Sequence, residues 1–419
     1  MPMNTEKKFY EMDIDERLSF ISSKSNISKN EISTAVNQPL PFDKVDRMVE
    51  NAIGNYSLPL GIATNFVINE KEYLVPMAIE EPSVIAAASH AAKLARSCGG
   101  FKATADSSIM RGQIQVTNML DIKKAMRTIS KNKESLLKMA NSLSKNVRAI
   151  DLKTRVITSD VDRSKMLVSE LYVDCKDSMG ANTVNSMCEL LGPEIERMAN
   201  GNGKVNLKIL SNYATERIVI SKATFKKEEL GGTEVVDRIL SAFAFSDPHR
   251  AVTHNKGIMN GIDAVSIATG QDFRAIEAAA HAYASRDGRY RSLSIFTKSS
   301  KGDLTASIEI PLSVGIVGGI STVHPTAKMS LKILRVKSAS ELACVIASVG
   351  LAQNFAAIRA LSTEGIQKGH MRLHAKNIAV AAGAMGKLID IVAETMYSQS
   401  NITIDNARAI LHELQLKSS

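Results

Sequence analysis

Hydrophobic and polar positions along this chain follow two different periods, and the changes of period mark its organisation. Residues 1–48 are charged, with apolar positions at helical spacing, and predict an N-terminal helical arm. Short apolar runs near 62–67 and 73–77 predict two strands. An alanine-rich stretch over 82–96 predicts a helix that the glycine pair at 99–100 ends. The chain therefore opens with helices and then combines strands with a helix.

The middle of the chain alternates between the two periods in a regular order. That order is strand, helix, strand, strand, helix, strand, and it fits a compact ferredoxin-like (split β-α-β) insert of roughly a hundred residues. The predicted elements lie at 112–116, 121–143, 149–157, 165–173, 181–191 and 205–210.

Long helical patterns return after the insert, and two strands interrupt them. Helices are predicted at 232–245, 273–283, 338–348 and 350–361, strands at 292–297 and 304–310, and mainly helices over the last fifty or so residues. We therefore expect an α+β protein with a mainly helical large domain and an inserted small domain.

Composition gives an expectation for the cellular location of the protein. The uncharged run 310–327 contains two prolines and three glycines, and the run 342–358 is interrupted by Ser, Gly, Gln and Asn. Neither pattern predicts a membrane span. The N-terminus has acidic residues and lacks the apolar stretch of a secretory signal, so we expect a cytoplasmic protein.

Charge and cysteine content narrow the ligand class. The four cysteines lack CxxC spacing, which argues against a disulfide framework and against a zinc site, and we expect no metal. A formal net charge of +9 suits a polyanion such as coenzyme A, a nicotinamide dinucleotide or nucleic acid. Tryptophan is absent and aromatic residues are 5% of the chain, which disfavours base stacking on single strands.

The common nucleotide and hydrolase motifs are missing. The sequence has no GxGxxG after a strand, no P-loop motif and no GxSxG. The HMRLH stretch at 370–374 lacks the glutamate of HExxH. A Rossmann fold, a P-loop enzyme, an α/β-hydrolase and a zinc protease are therefore disfavoured.

Lys256 is the only Lys or Arg between Arg250 and Arg274. It lies in the stretch 253–263, among glycines and amides. Such a lysine can serve as an electrophile or a proton donor. The tripeptide Asn-Lys-Gly is also typical of a surface turn, and the local sequence favours that interpretation.

Two acidic sites precede predicted helices. Glu80 and Glu81 stand before Pro82, where carboxylates commonly interact with the helix dipole. A catalytic acid there would need burial or a second carboxylate to stay protonated. Asp272 begins another helix, a position typical of a cap.

Two further segments allow a structural or a functional interpretation. His370 and His374 are four residues apart beside the basic stripe 368, 372 and 376, which suits a solvated face or a lid that supplies a proton and grips phosphates. The segment 177–183 has a glycine-bearing turn before a helix, which suits an ordinary capped turn or a pyrophosphate site.

In this order the segments resemble 3-hydroxy-3-methylglutaryl-coenzyme A reductases, and specifically the soluble second class of bacteria and archaea. The resemblance covers most of the chain, and the absence of predicted membrane spans agrees with that class. It is carried by 50–54 (ENAIG), 80–83 (EEPS), 177–182 (DSMGAN), 247–250 (DPHR), 253–257 (THNKG), 270–272 (GQD), 315–319 (GIVGG), 350–354 (GLAQN) and 369–371 (GHM).

The resemblance implies a four-electron reduction of the thioester to mevalonate and coenzyme A with two NADPH or NADH. Lys256 would stabilise the oxyanion that hydride addition creates. Glu81 would donate a proton at the mevaldehyde stage, and Asp272 would sit between Lys256 and Glu81. His370 would protonate the departing coenzyme A thiolate.

The resemblance also implies binding residues, domains and assembly. Arg250, Ser83 and Asn260 would hold the hydroxymethylglutaryl group, and His374 would contact coenzyme A. The relatives are homodimers with active sites at the subunit interface, often assembled into hexamers. The dinucleotide would bind Asp177, Met179, Gly180, Asn182 and Asn212. The implied domains are 1–104 and 215–363 (large), 105–214 (small, dinucleotide-binding) and 364–419 (a helical C-terminal flap carrying His370).

The chain departs from the family pattern at two places. Residues 142–148 lack the glycines of a turn that many relatives carry. Lys145 and Arg148 there could meet a ribose phosphate, which favours NADPH, or be solvated loop charges. Lys376 stands where eukaryotic enzymes carry a regulatory serine, so that switch is not expected. Alternatives are the same enzyme run oxidatively on mevalonate, or a basic nucleic-acid-binding protein.

Overall fold

The computed structural model describes residues 7–37, 40–199, 203–363 and 366–416, and in the helix over 366–381 it describes side chains from 374 onward. The strands are β1 Leu60–Ile68, β2 Lys71–Ala78, β3 Phe101–Ala105, β4 Ile109–Thr117, β5 Arg148–Thr158, β6 Lys165–Asp174, β7 Lys204–Ser211, β8 Ile218–Phe225, β9 Ser294–Lys298 and β10 Leu304–Pro311. The helices of the first half are α1 Ile14–Lys24, α2 Lys29–Asn37, α3 Phe42–Met48, α4 Val84–Arg96, α5 Ile122–Lys131, α6 Lys133–Asn141 and α7 Ala181–Met198. Those of the second half are α8 Lys227–Leu230, α9 Thr233–Leu240, α10 Pro248–Ala268, α11 Phe273–Ala284, α12 Ile320–Val323, α13 Pro325–Leu334, α14 Ala339–Ser362, α15 Ile366–Ala381, α16 Lys387–Ser398 and α17 Ile404–Leu416.

Six strands from both halves of the chain form one sheet, in the order β2-β1-β3-β8-β10-β9. Alternate residues of β10 point into the core, namely Leu304, Ala306, Ile308 and Ile310. Helices α4, α10 and α14 pack with this sheet around the largest apolar cluster of the described chain. The sequence pattern predicted four of these six strands and missed β3 and β8.

Strands β3 and β8 mark where the insert leaves and rejoins the large sheet. They pair antiparallel, with Phe101 opposite Ala223 and Ala105 opposite Val219. The chain therefore departs and returns at neighbouring strands. This arrangement brings the two connections, 106–108 and 212–217, next to each other.

The insert has the predicted order of elements. Its sheet runs β5-β6-β4-β7, with all pairs antiparallel, and helices α5, α6 and α7 lie over one face. This is the strand order of a ferredoxin-like fold. The helix predicted over 121–143 is two helices, because the Asn132 side chain donates to the Thr128 carbonyl at 2.8 Å and competes with the helical backbone.

Helix α14 runs through the core of the large unit. The sequence pattern predicted two helices separated at Gly350, but the helix continues because Gly350 lets α10 approach closely. A Cβ at Gly350 would lie 2.8 Å from Ile262 Cγ1. In the described chain α14 is the one helix long and apolar enough to cross a membrane, and 83% of its most apolar 18-residue window is buried inside the protein.

Both ends of the described chain are helical, as the sequence predicted. Helices α1 and α2 share an apolar cluster with α13. Helices α15, α16 and α17 surround a cluster of their own, built from Ala379, Val392, Met396 and Ile410. The segment 52–59 between α3 and β1 has no regular structure.

Candidate active site

Lys256 lies in the middle of α10 rather than in a turn. The helix begins at Asp247, whose side chain accepts the Arg250 amide at 2.7 Å, and Pro248 occupies its first turn. The turn interpretation was wrong because tertiary packing outweighs the low helix propensity of the glycines in this stretch. A Cβ at Gly261 would lie 2.9 Å from the Val349 carbonyl oxygen of α14, so glycine permits the close helix contact.

Lys256 meets Glu81, which comes from the turn before α4. The Lys256 Nζ to Glu81 Oε2 distance is 2.7 Å, and Asn260 Nδ2 donates to the same oxygen at 3.2 Å. Lys256 and Asn260 are one turn apart on one face of α10. The side chains of Lys256 and Glu81 are 61% and 33% exposed, and an exposed ion pair contributes about 1 kcal/mol or less to stability. Stability alone therefore gives little reason for this contact.

Ser83 stands next to this contact in a strained conformation. Its φ of 74° lies in the left-handed region, which is unfavourable for a non-glycine residue. It occupies the N-cap position of α4, yet its side chain makes no capping hydrogen bond. Its hydroxyl is therefore not used to cap the helix.

The opposite side of α10 is fixed by a buried polar network that the sequence did not reveal. Ser294 Oγ donates to Asn354 Oδ1 at 2.7 Å and lies 2.6 Å from His254 Nε2, while Asn354 Nδ2 donates to the His254 carbonyl at 3.3 Å. Burial, with Arg250 nearby, lowers the pKa of His254 to about 3. The unfolded chain takes up a proton near pH 6.5 that the fold excludes, so this group makes stability fall as the pH drops from about 6.5 towards 3.

Arg250 is a half-buried cation in the first turn of α10. Burial lowers the pKa of its guanidinium, and no carboxylate forms an ion pair with it in the part of the chain that the structure describes. A desolvated guanidinium without a counter-ion is costly. The fork of a guanidinium matches a carboxylate, so Arg250 is a candidate receptor for an anionic group.

Asp272 caps α11, away from the Lys256–Glu81 contact. Its Oδ1 accepts the Ala275 amide at 3.1 Å and lies 3.5 Å from Arg274. Lys256 stands twelve residues before Ala268, the last residue of α10, which is roughly 18 Å along the helix axis. Among the described residues Lys256 and Asn260 both bond to Glu81, whereas Asp272 bonds to none of the three.

The turn before α7 is held against the large unit. Asp177 Oδ1 accepts the Ala339 amide at 2.9 Å, and its carbonyl accepts the Ile316 amide at 2.8 Å. Gly180 has φ of 93°, and a Cβ there would lie 2.2 Å from Cys175 Sγ, so only glycine fits. No side chain caps α7, which leaves its first amides available to an anion. Met179 is half-buried, and Asn182 and Asn212 are exposed around this end.

The two histidines singled out in the C-terminal segment, His370 and His374, lie on α15. The His370 side chain lies outside the described residues, and the His374 side chain is exposed. The described chain contains no group of three or more His, Cys, Asp or Glu side chains placed to hold a metal ion.

A carboxyl pair on the Lys256 face of α10 links that helix to α11. Asp263 lies two turns after Lys256, and burial together with the neighbouring Glu277 raises its pKa. Glu277 is bound by His281, with 2.6 Å between Oε2 and Nε2, and that contact lowers the pKa of Glu277. The fold therefore retains a proton on Asp263 that an unfolded chain releases above about pH 4.

We expect Asp263→Asn to raise the melting temperature by a few degrees at pH 8 and by less at pH 5. Protonated Asp263 contributes its full stability below the pKa that this carboxyl has in the unfolded chain. That stability is lost as the pH rises through the higher pKa of the folded protein, whereas an asparagine amide does not titrate. Thermal unfolding at the two pH values measures the difference. Asp287→Asn, at an exposed carboxylate, is the control. An equal effect of Asp263→Asn at both pH values would contradict the assignment.

Similar proteins share one activity in their names. The sequence model of the hydroxymethylglutaryl-coenzyme A reductase family matches residues 13–375. The chain is 50% identical over 414 residues to 3-hydroxy-3-methylglutaryl-coenzyme A reductase of Archaeoglobus fulgidus, an alignment that spans 97% of this chain and 94% of the archaeal protein.

Solved structures agree over nearly the whole fold. A 3-hydroxy-3-methylglutaryl-coenzyme A reductase of Streptococcus pneumoniae gives a TM-score of 0.81 at 37% identity and covers 99% of this chain and 100% of its own. A class II enzyme of the same organism, bound to NADPH in open conformations, gives a TM-score of 0.80 at 38% identity and covers 96% and 100%.

Proposed function

The chain belongs to the hydroxymethylglutaryl-coenzyme A reductase family, and from this premise we propose that it reduces 3-hydroxy-3-methylglutaryl-coenzyme A to mevalonate and coenzyme A in the cytoplasm. The contact of Lys256 with Glu81 at 2.7 Å carries the proposal. It joins a cation and an acid, 175 residues apart in sequence, at one exposed point of the fold. The reaction needs both groups at one carbonyl carbon.

Each half of the reaction uses a different part of this contact. Lys256 stabilises the oxyanion that forms at the thioester carbonyl. Glu81 donates a proton to the aldehyde oxygen in the second reduction, and Asn260 orients the Glu81 carboxyl. Arg250, Ser83 and Asn260 hold the hydroxymethylglutaryl group, and Arg250 binds its carboxylate. Two reduced nicotinamide dinucleotides supply the hydrides.

Asp272 completes the site from a second copy of the chain. In the expected site a negative charge lies beside Lys256 and Glu81, but within one chain Asp272 caps α11 and bonds to neither of them. Asp272 of the partner subunit supplies that charge. The segment 52–59 supports a partner, since its Ile53 and Tyr56 side chains are 100% and 91% exposed. We propose a homodimer with shared active sites, and possible assembly of dimers into hexamers.

The insert and the C-terminal segment take the remaining roles. Asp177, Met179, Gly180, Asn182 and Asn212 hold the dinucleotide, with the free amides of α7 facing its pyrophosphate. The flap from 364 onward closes over the site. His370 then protonates the coenzyme A thiolate, and His374 contacts coenzyme A. The proposed domains are 1–104 and 215–363 (large), 105–214 (small) and 364–419 (flap).

Oxidation of the reduced cofactor tests the function. With the thioester substrate present, we expect the near-ultraviolet absorbance of NADPH or NADH to fall, with two cofactors oxidised per mevalonate formed. Mevalonate, coenzyme A and the oxidised cofactor should give the reverse reaction, because an enzyme catalyses both directions. Absence of both reactions with both cofactors would refute the proposal.

We expect NADPH to be preferred, and Arg148→Gln to lower kcat/KM for NADPH by about tenfold with little effect on NADH. Arg148, the first residue of β5, pairs with Asp174, the last residue of β6. The turn that is proposed to bind the dinucleotide follows Asp174, so Arg148 lies near the place where we expect the ribose phosphate of NADPH. Steady-state kinetics with each cofactor measures the preference. Lys165→Gln, at the far end of the same strand pair, is the control. An equal loss with both cofactors would argue against a contact between Arg148 and the phosphate.

A further inference from the structure

Arg217 is a deeply buried arginine whose partners are three backbone carbonyls. It is 3% exposed and ends the connection that returns from the insert to β8. Its Nη1 donates to the Val314 carbonyl at 3.2 Å, and its Nη2 donates to those of Ser108 and Ser178 at 2.9 and 3.0 Å. Burial lowers the pKa of its guanidinium, and no carboxylate is bonded to it among the described residues.

The three carbonyls belong to three parts of the molecule that must keep a fixed relation. Ser108 lies on the outgoing connection of the insert, Ser178 in the turn that leads to Gly180, and Val314 in the large unit after β10. A buried cation that no carboxylate bonds costs stability compared with an apolar side chain of the same size, although Asp174 lies near enough to favour the charge of Arg217. Arg217 is therefore better explained by the geometry it imposes than by the stability it adds.

The loop after Val314 connects the same turn to the segment of Asp272. The Gly315 amide donates to Gln271 Oε1 at 2.9 Å, one residue before Asp272. A Cβ at Gly315 would lie 2.6 Å from the Met179 amide nitrogen, so the loop and the turn are in direct contact. Arg217 holds the turn and the loop together from behind through Ser178 and Val314.

We propose that Arg217 is a positioning residue for the nicotinamide dinucleotide. It fixes the turn 178–180 against the loop 314–317, and thereby sets where the bound dinucleotide lies relative to the Asp272 segment. This inference rests on the proposed dinucleotide role of the turn. Arg217 itself touches neither the dinucleotide nor the thioester substrate.

Binding and kinetics of Arg217→Met and Arg217→Lys test the inference. Quenching or enhancement of reduced-nicotinamide fluorescence, without thioester, gives the Kd of NADPH and of NADH. We expect Arg217→Met to raise the Kd and KM of the dinucleotide about tenfold, and KM of the thioester by less than twofold. Arg217→Lys should restore part of the affinity, since it keeps the charge and some of the donors.

Two further variants keep the test decisive. Ser107→Ala removes a hydroxyl that binds the Glu216 carbonyl across the two connections without touching the turn, and should leave both constants unchanged. Gly315→Ala adds a methyl group between the loop 314–317 and the turn 178–180, and should raise the dinucleotide Kd as Arg217→Met does. It provides the test if Arg217→Met does not fold.

Unchanged dinucleotide affinity in Arg217→Met and Gly315→Ala would overturn the inference. So would an equal rise in the KM of dinucleotide and thioester with a lower melting temperature, because that is the result of general destabilisation. Failure of the proposed reduction is a separate result, since it appears in the turnover of the unaltered protein, whereas the Kd is measured without turnover.

Discussion

Lys256→Ala is expected to fold and to bind dinucleotide but to lose about 10²–10³-fold or more in turnover. In the proposed reaction the lysine is the cation at the thioester oxygen, and α10 offers the charge that develops there no other lysine or arginine on this face. Its ion pair with Glu81 is partly exposed, so its removal costs little stability. Cofactor oxidation measures turnover, and circular dichroism and cofactor fluorescence measure folding and binding.

Lys332→Ala is the matched control for Lys256→Ala. Lys332 is another exposed lysine paired with a glutamate, Glu31, but it lies on α13 beside the N-terminal arm. We expect normal turnover in that variant. Near-normal turnover in Lys256→Ala would remove Lys256 from the chemistry and leave its contact with Glu81 as a surface ion pair.

Arg250→Met is expected to keep or raise the melting temperature and to raise KM for the thioester by about two orders of magnitude. Burial disfavours the charged form of Arg250, and the described chain offers it no carboxylate, so an apolar side chain is cheaper in the free protein. The substrate carboxylate loses its bidentate partner, which is a large loss in a desolvated site. Opposite effects on stability and binding distinguish a ligand-binding arginine from a structural one.

Steady-state kinetics and thermal unfolding measure the two effects of Arg250→Met. The control is Arg238→Met, at an exposed arginine of the neighbouring helix α9. We expect that variant to be normal in both measurements. A thioester KM within twofold of the unaltered protein, or a clearly lower melting temperature, in Arg250→Met would contradict the role given to Arg250.

The sequence predicted the insert well because each of its elements has a clear local pattern. The strand pattern of β4 and the amphipathic helix α7 bury residues that recur at the period of their own element, such as Ile114 and Val184. Strands β3 and β8 were missed because they are short or mixed in polarity, and become strands by pairing with each other. Their pairing is a tertiary effect that no local window contains.

The contacts of the candidate site could not be predicted from local sequence patterns. Asn-Lys-Gly predicted a turn, whereas packing of α10 on α14 through Gly261 makes this stretch a helix. The resemblance identified Lys256 and Glu81, whose separation in sequence hides their contact. His254 and Arg217 had no distinctive neighbours in sequence. Only the fold shows that both side chains are buried and hydrogen-bonded. In the proposed dimer the expected place of Asp272 between Lys256 and Glu81 depends on assembly, which the sequence of one chain does not show.

A mixed dimer tests the central claim, that Lys256 and Glu81 of one copy work with Asp272 of the partner subunit. Differently tagged copies carrying Lys256→Ala and Asp272→Asn are co-expressed, and the dimer bearing both tags is isolated. In a two-fold symmetric dimer one of the two sites then keeps every required residue, so we expect about half the turnover of the unaltered dimer. Turnover of the mixed dimer no higher than that of its two inactive parents would rule out an active site shared between subunits.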